Sequence, residues 1–181
     1  MAGSSPTASD TIPPVPEPAE ALLFFDLAGA RAIAAAAARI FPTDALGPGA
    51  AEAGVIHYID RALNGPARDL QSLYRRGIAR LDERARTRGK DGYAAADVAT
   101  QDAILADLEF EHDPFFATLL THTREGLFSD PAHGGNREMI GWRLLGHPGV
   151  QMAYGPDDYV PGARIARAPR SLADFRSHRA G

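Results

Sequence analysis

One hundred and eighty-one residues amount to about one domain's worth of chain, which excludes a large two-domain enzyme. The formal charge is −4, and since Arg164, Arg167, Arg170, Arg176 and Arg179 outweigh Asp174 near the C-terminus, the rest is more acidic still, against the habit of nucleic-acid-binding domains. No cysteine is present, so disulfides, thiolate zinc sites, iron–sulfur clusters and covalently attached c-type haem are excluded from this chain.

Residues 1–20 are proline-rich, with neither a basic n-region nor an apolar stretch, and read as a disordered leader rather than an export signal. Asp26 is the predicted N-cap of a first helix running to about Phe41, with Leu27, Ala30, Ile33, Ala34, Ala37 and Ile40 on one face, and Pro42 stops it. The alanine run at 32–38 is far too short to span a membrane. After the turn chemistry of Leu46-Gly47-Pro48-Gly49, Val55, Ile56, Ile59 and Leu63 mark a second helix that ends at Asn64-Gly65-Pro66 and carries Asp60 and Arg61 on its outer face.

The third helix is the most strongly patterned, with Leu70, Leu73, Tyr74, Gly77, Ile78, Leu81 and Ala85 in one stripe and arginines and acids elsewhere. A fourth should begin near Asp97 and turn Val98, Ile104, Leu105 and Leu108 inward. Asp113-Pro114 then opens a fifth, with Phe115, Phe116, Leu119, Leu120 and Thr123 at helical spacing. Eight residues of loop chemistry, 129–136, lead to a short amphipathic piece at 137–145, closed by Gly146, Pro148 and Gly149. With no sustained β-alternation, the pattern predicts an all-α fold: a single compact bundle of five or six helices over residues 22–160, between a disordered leader (1–21) and a basic flexible tail (161–181).

Chemistry-bearing motifs are sparse. Glu109-x-x-His112 has the spacing used in di-iron bundles, but such sites need a second copy and two more glutamates, and His122-x-x-Glu125 runs in reverse; both pairs read as solvated helix faces. A mononuclear site from His122, Glu125 and His133 stays open. No Gly-x-Ser-x-Gly elbow or Gly-x-Gly-x-x-Gly fingerprint exists, and Pro48 removes an N–H that a phosphate cradle would need. The loop from Asp130 to Asn136 has three readings: a capped turn clamped on the core by Phe128 and Trp142, a partner contact, or an anion site beside Arg137. The basic tail is either solvated or a strap for an acidic partner.

Many residues together resemble the gluconate 2-dehydrogenase subunit 3 family, the small subunit of membrane-associated or periplasmic flavoprotein sugar dehydrogenases. The likeness is carried by Arg39-Ile40-Phe41-Pro42-Thr43, by Gly47-Pro48-Gly49-Ala50 with Glu52-Ala53-Gly54-Val55, and by Tyr58-Ile59-Asp60. Tyr74 with Gly77, Leu81-Asp82, Gln101 and Phe115-Phe116 continue it. The longest signature is Thr123-x-Glu125-Gly126-x-Phe128-Ser129-Asp130-Pro131-x-x-Gly134-Gly135-Asn136, followed by Gly141-Trp142 and Gly146-x-Pro148-Gly149. The likeness spans roughly residues 22–160. Position 133 departs from it, with His in place of an expected tyrosine.

The resemblance implies a non-catalytic accessory subunit for a glucose-methanol-choline type flavoprotein, with a cytochrome c subunit as a further partner. FAD and haem c would then reside on those partners and none in this chain. No catalytic or metal residue is assigned; the expected partner-binding residues are Asp130, Gly134, Gly135, Asn136, Arg137 and Trp142. The alternatives are a stand-alone small-molecule or metal-binding helical protein using His122, Glu125, His133 and Arg137, and a self-associating bundle. Small subunits of this kind commonly carry a twin-arginine signal, whereas the first adjacent arginines here are Arg75-Arg76. The sequence as written is therefore expected in the cytoplasm, or in the periplasm if an export segment precedes it.

Overall fold

Asp26 does cap the first helix: its carboxylate accepts the Gly29 N–H at 2.7 Å and α1 runs Leu27–Ile40. In the computed structural model, which describes residues 21–162 and 167–176, α1 is the central element and touches α2, α3, α4 and α5. Its burial is not confined to one face. Ala32, Ile33 and all four residues at 34–37 are buried, while Leu27, expected inside, is half exposed. Alanine explains this, because side chains of one carbon let several neighbours approach the same axis at once.

Helix α2 (Val55–Asn64) buries Val55, Ile59 and Leu63 and makes its broadest contact with α5 (Pro114–Phe128). Asp60, expected on its outer face, is only 2% exposed and is corrected to an internal tether. Its carboxylate accepts the backbone N–H groups of Leu23, Phe24 and Phe25 at 2.6, 3.0 and 3.0 Å. The incoming chain lies across α2 without a helical partner for those donors, and a carboxylate satisfies all three.

Helix α3 (Gln71–Thr87) buries Tyr74, Gly77, Leu81 and Ala85, within the predicted stripe. Arginines in its second half and at its C-cap pair with neighbouring elements: Arg84 with Glu111 at 2.6 Å, Arg88 with Asp107 at 2.5 Å, and Arg80 with Asp113. Asp97 caps α4 (Val98–Phe110) by accepting the Thr100 N–H at 2.9 Å. Asp113 caps α5 at Phe115 N, 2.7 Å, with Pro114 as first helical residue.

A short α6 (Ile140–Leu145) packs on α5, and α7 (Leu172–Arg176) packs on the turn after α5. Among the described residues the architecture is all helical, with two isolated bridges, Asp44 with Gly47 and Gly149 with Arg170. The leader expectation for 1–20 and that for Arg164 and Arg179 of the tail lie outside the described residues. Part of the expected flexible tail does fold against the body: Arg167 reaches Asp158 at 2.5 Å, and Arg170 stacks over Phe175. Among the described residues no helix is long and apolar enough to cross a membrane.

Candidate functional site

The chain leaves α5 at Ser129 and must reverse to enter α6, and most of the predicted site residues perform that reversal. Asp130 accepts the Ala132 N–H at 2.9 Å, capping a single 3-10 turn, and on its other side accepts Leu172 N at 2.8 Å and the Ser171 hydroxyl at 3.2 Å. Gly134 has φ 105° and lies beside the Arg61 side chain. Gly135 runs against the carbonyl of Gly126, where a Cβ would collide with backbone. Asn136, fully buried, donates its side-chain amide to Ser129 O at 2.8 Å and accepts the Gly141 N–H at 2.8 Å, while its own N–H reaches Gly126 O at 2.7 Å. Trp142, 5% exposed, donates from Nε1 to Phe128 O at 2.7 Å.

Asp130, Asn136 and Trp142 thus form the clamp, with their polar atoms bonded inside it. Arg137 is different. Its N–H anchors to Ala53 O at 3.0 Å, and its side chain crosses Gly54 at the start of α2, where a Cβ would lie 2.5 Å from the guanidinium Nε. The segment around it is conformationally costly: Asn136, Glu138 and Met139 have φ of 47°, 52° and 58°, three non-glycine residues in the left-handed region. Such geometry persists only where the surroundings over-determine it, and it clusters at functional sites.

What the clamp displays is one wall of an open depression of about 870 Å³, whose other wall is the turn at 44–47 and the start of the α2 approach. Its lining is mixed: Leu46, Pro48, Ile140 and Leu144 are apolar, and Arg137 and Arg143 stand with Glu52 and Glu138. Gly47 lies so close to Leu144 that a Cβ would sit 2.7 Å from its Cδ2. On the rim, Glu52 accepts the Thr43 hydroxyl at 2.7 Å and Gly49 N at 3.0 Å; burial works against its ionised form, but these donors prevail and hold its pKa below the usual glutamate value. Sequence reasoning missed Leu46, Ile140 and Leu144. Its one available signal was a leucine placed inside turn chemistry.

His122, Glu125, His133 and Arg137 do different things. His122 is buried, contrary to the expected solvated face; its Nδ1 meets the Tyr74 hydroxyl at 2.8 Å and the two rings stack 5.7 Å apart. Burial pushes the imidazole below its ordinary pKa, with Glu125 opposing. Glu125 accepts the Tyr58 hydroxyl at 2.9 Å; burial first, and then this carboxylate, raise Tyr58 to about 12. His133 is exposed on the 3-10 turn, while Arg137 lies over α2. Glu109 and His112 are exposed, as expected. Among the described residues no three His, Asp or Glu are grouped to hold a metal. The Gly47-Pro48-Gly49 turn fits a dinucleotide pyrophosphate poorly, because Gly49 N is already given to Thr43 and Glu52.

The family described as gluconate 2-dehydrogenase subunit 3 matches residues 28–149. The chain belongs to this family. Comparisons with curated proteins and with solved structures give no match. In this gluconate 2-dehydrogenase subunit 3 chain the matched span opens inside α1 and closes at Gly149. It therefore contains the whole clamp and both walls of the depression, and ends before α7.

Proposed function

We propose that this chain is a non-catalytic accessory subunit that binds, and stabilises or helps mature, a flavin-dependent sugar or sugar-acid dehydrogenase of the glucose-methanol-choline type. The observation that carries the reading is family membership across a span holding the clamp and the depression. Physical support comes from what the clamp does with its polar groups: Asn136, Trp142 and Asp130 hold backbone in place, so this region offers a partner shape and charge rather than a reactive side chain. FAD would reside on the partner, and haem c on a cytochrome c subunit where one takes part. The compartment follows that of the flavoprotein.

The test is co-expression. The catalytic subunit produced with this chain should be soluble, loaded with FAD and active, and produced alone it should be deficient in at least one of these. Full flavin loading and turnover without this chain would refute the reading.

A further inference from the structure

We infer that residues 167–176 are a releasable strap: in the free chain they lie over the Asp130 turn and the Trp142 indole, and the flavoprotein partner docks on that part of the clamp only when they lift. This rests on the accessory-subunit reading and adds a competition, within the chain, that controls docking. The cover is this chain's own. Arg170 joins the segment at 148–150 in a short parallel pairing, with the Val150 N–H donating to Arg170 O at 2.8 Å and the Arg170 N–H to Pro148 O at 3.3 Å. A Cβ on Gly149 would collide with the Arg170 backbone and lie 2.8 Å from the Trp142 ring, so strap and indole meet over one glycine, held at φ 71°. His147 adds an edge-on ring contact at 5.2 Å, and Trp142 is left 5% exposed. Just beyond Arg170, the Ser171 hydroxyl and the Leu172 N–H both donate to the Asp130 carboxylate.

What holds the strap down is local and mostly polar. Helix α7 is five residues long and capped within itself: Ser171 Oγ accepts the Ala173 N–H at 2.9 Å, and Asp174 accepts the Ser171 N–H at 2.7 Å. A helix that short has no stability of its own, so its order comes from the body it lies on. Over residues 167–175 only Ser171 is buried, and none of them belongs to the hydrophobic core. The further ties are Arg167 to Asp158 at 2.5 Å and to Gln151 at 2.9 Å, while the Arg170 guanidinium stacks on Phe175 inside the strap itself. An edge segment with so few buried apolar contacts opens at far lower free energy than the bundle unfolds. The family match supplies the other half of the argument. Asp130, Trp142, Pro148 and Gly149 lie within the matched residues 28–149, and the strap lies beyond them, so the surface belongs to the family body and the cover is attached outside it. A partner that binds only the lifted form has its affinity reduced by the fraction of chains that are lifted, and loosening the strap restores it.

The experiment uses the full chain and the host's flavoprotein catalytic subunit, and compares wild type with Leu172→Pro and Ser171→Ala. Leu172 is the first residue of α7, where proline is accepted, so its replacement removes only the N–H that Asp130 accepts; the serine change removes the hydroxyl. Circular dichroism and urea midpoints check that the bundle is intact, and Ser171→Ala carries the test if the proline lowers the midpoint. Trp142 is the single tryptophan of the chain, so its fluorescence reports the cover directly. Both variants are expected to raise acrylamide quenching about twofold with a red-shifted emission, and to bind the flavoprotein about three- to tenfold more tightly by titration calorimetry. Unchanged quenching in both variants overturns the strap as a cover for Trp142. Increased quenching with affinity unchanged or weakened overturns the competition and leaves the accessory-subunit reading standing. A complex formed by the variants but not by wild type is the competition at its strongest, whereas no complex with any of the three refutes the accessory-subunit reading and this inference with it.

Discussion

Replacing Asn136 by alanine removes three separate contributions at one position, and their sizes can be worked out in turn. The side-chain oxygen accepts Gly141 N, whose residue is buried, so its loss orphans a donor at a cost of about 1–3 kcal/mol. The side-chain amide donates to Ser129 O, a bond worth about 1 kcal/mol net. The backbone stays at φ 47°, where a Cβ-bearing residue other than Asn or Asp is penalised by about 1–2 kcal/mol. Together these predict that Asn136→Ala is destabilised by about 4 kcal/mol. Asn136→Gly separates the backbone part from the hydrogen bonds: it regains the left-handed preference but loses about 0.5–1 kcal/mol of unfolded-chain entropy, so it should be about 1 kcal/mol more stable than the alanine variant. Urea unfolding at constant m-value measures both. An Asn136→Ala variant within about 0.5 kcal/mol of wild type, or a glycine variant less stable than the alanine one, would refute the clamp as described.

Gly77 on α3 faces the Phe115 ring of α5 so closely that a Cβ would overlap it, and Gly77→Ala should cost about 1–3 kcal/mol in urea unfolding. Adding Phe115→Leu should recover part of that loss, and strict additivity of the two changes would contradict the contact. Asp130→Ala should speed hydrogen exchange over residues 171–176 while moving the global urea midpoint little, because Asp130 holds Leu172 N and Ser171 against a body whose core lies elsewhere; unchanged exchange there would remove Asp130 as the tether. His122 gives a pH dependence. Its folded pKa lies below the ordinary 6.5, so the unfolded chain binds the proton more readily. The contribution to stability is therefore complete above about 6.5 and is lost as pH falls toward the folded value. Urea midpoints measured from pH 7 to pH 5 should decline less for His122→Gln than for wild type, and parallel declines would refute the assignment.

The helices were legible because what starts and stops them is local. Asp26, Asp97 and Asp113-Pro114 announce their helices within three residues of where the hydrogen bond is made, and the α3 stripe repeats every turn. Burial set by another part of the chain left no such trace. Asp60 looks outward by the periodicity of α2, and only the return of residues 23–25 across that helix makes it internal. His122 looks solvated by its polar neighbours on α5, and only the Tyr74 side chain, arriving from α3, encloses it. Alanine obscured α1 in a different way, since a residue equally at home on either face gives no contrast from which to read how many neighbours surround the helix.

The loop at 130–136 was marked by its turn residues, but turn chemistry does not say which way a polar side chain points. An asparagine in such a loop can present its amide to a partner or bond its own backbone, and the choice depends here on Ser129 O and Gly141 N lying within reach on either side. Because Asn136 turns inward, the residues displayed are those the turn carries past it, Arg137, Ile140, Arg143 and Leu144, set opposite Leu46. Asp60, Asp130 and Asn136 share one logic: each joins two pieces of the chain through a side-chain oxygen that accepts a backbone N–H. The loop that Asn136 fixes forms one wall of the depression. Its shape therefore depends on contacts between residues distant in the chain, and helical periodicity carries no record of them.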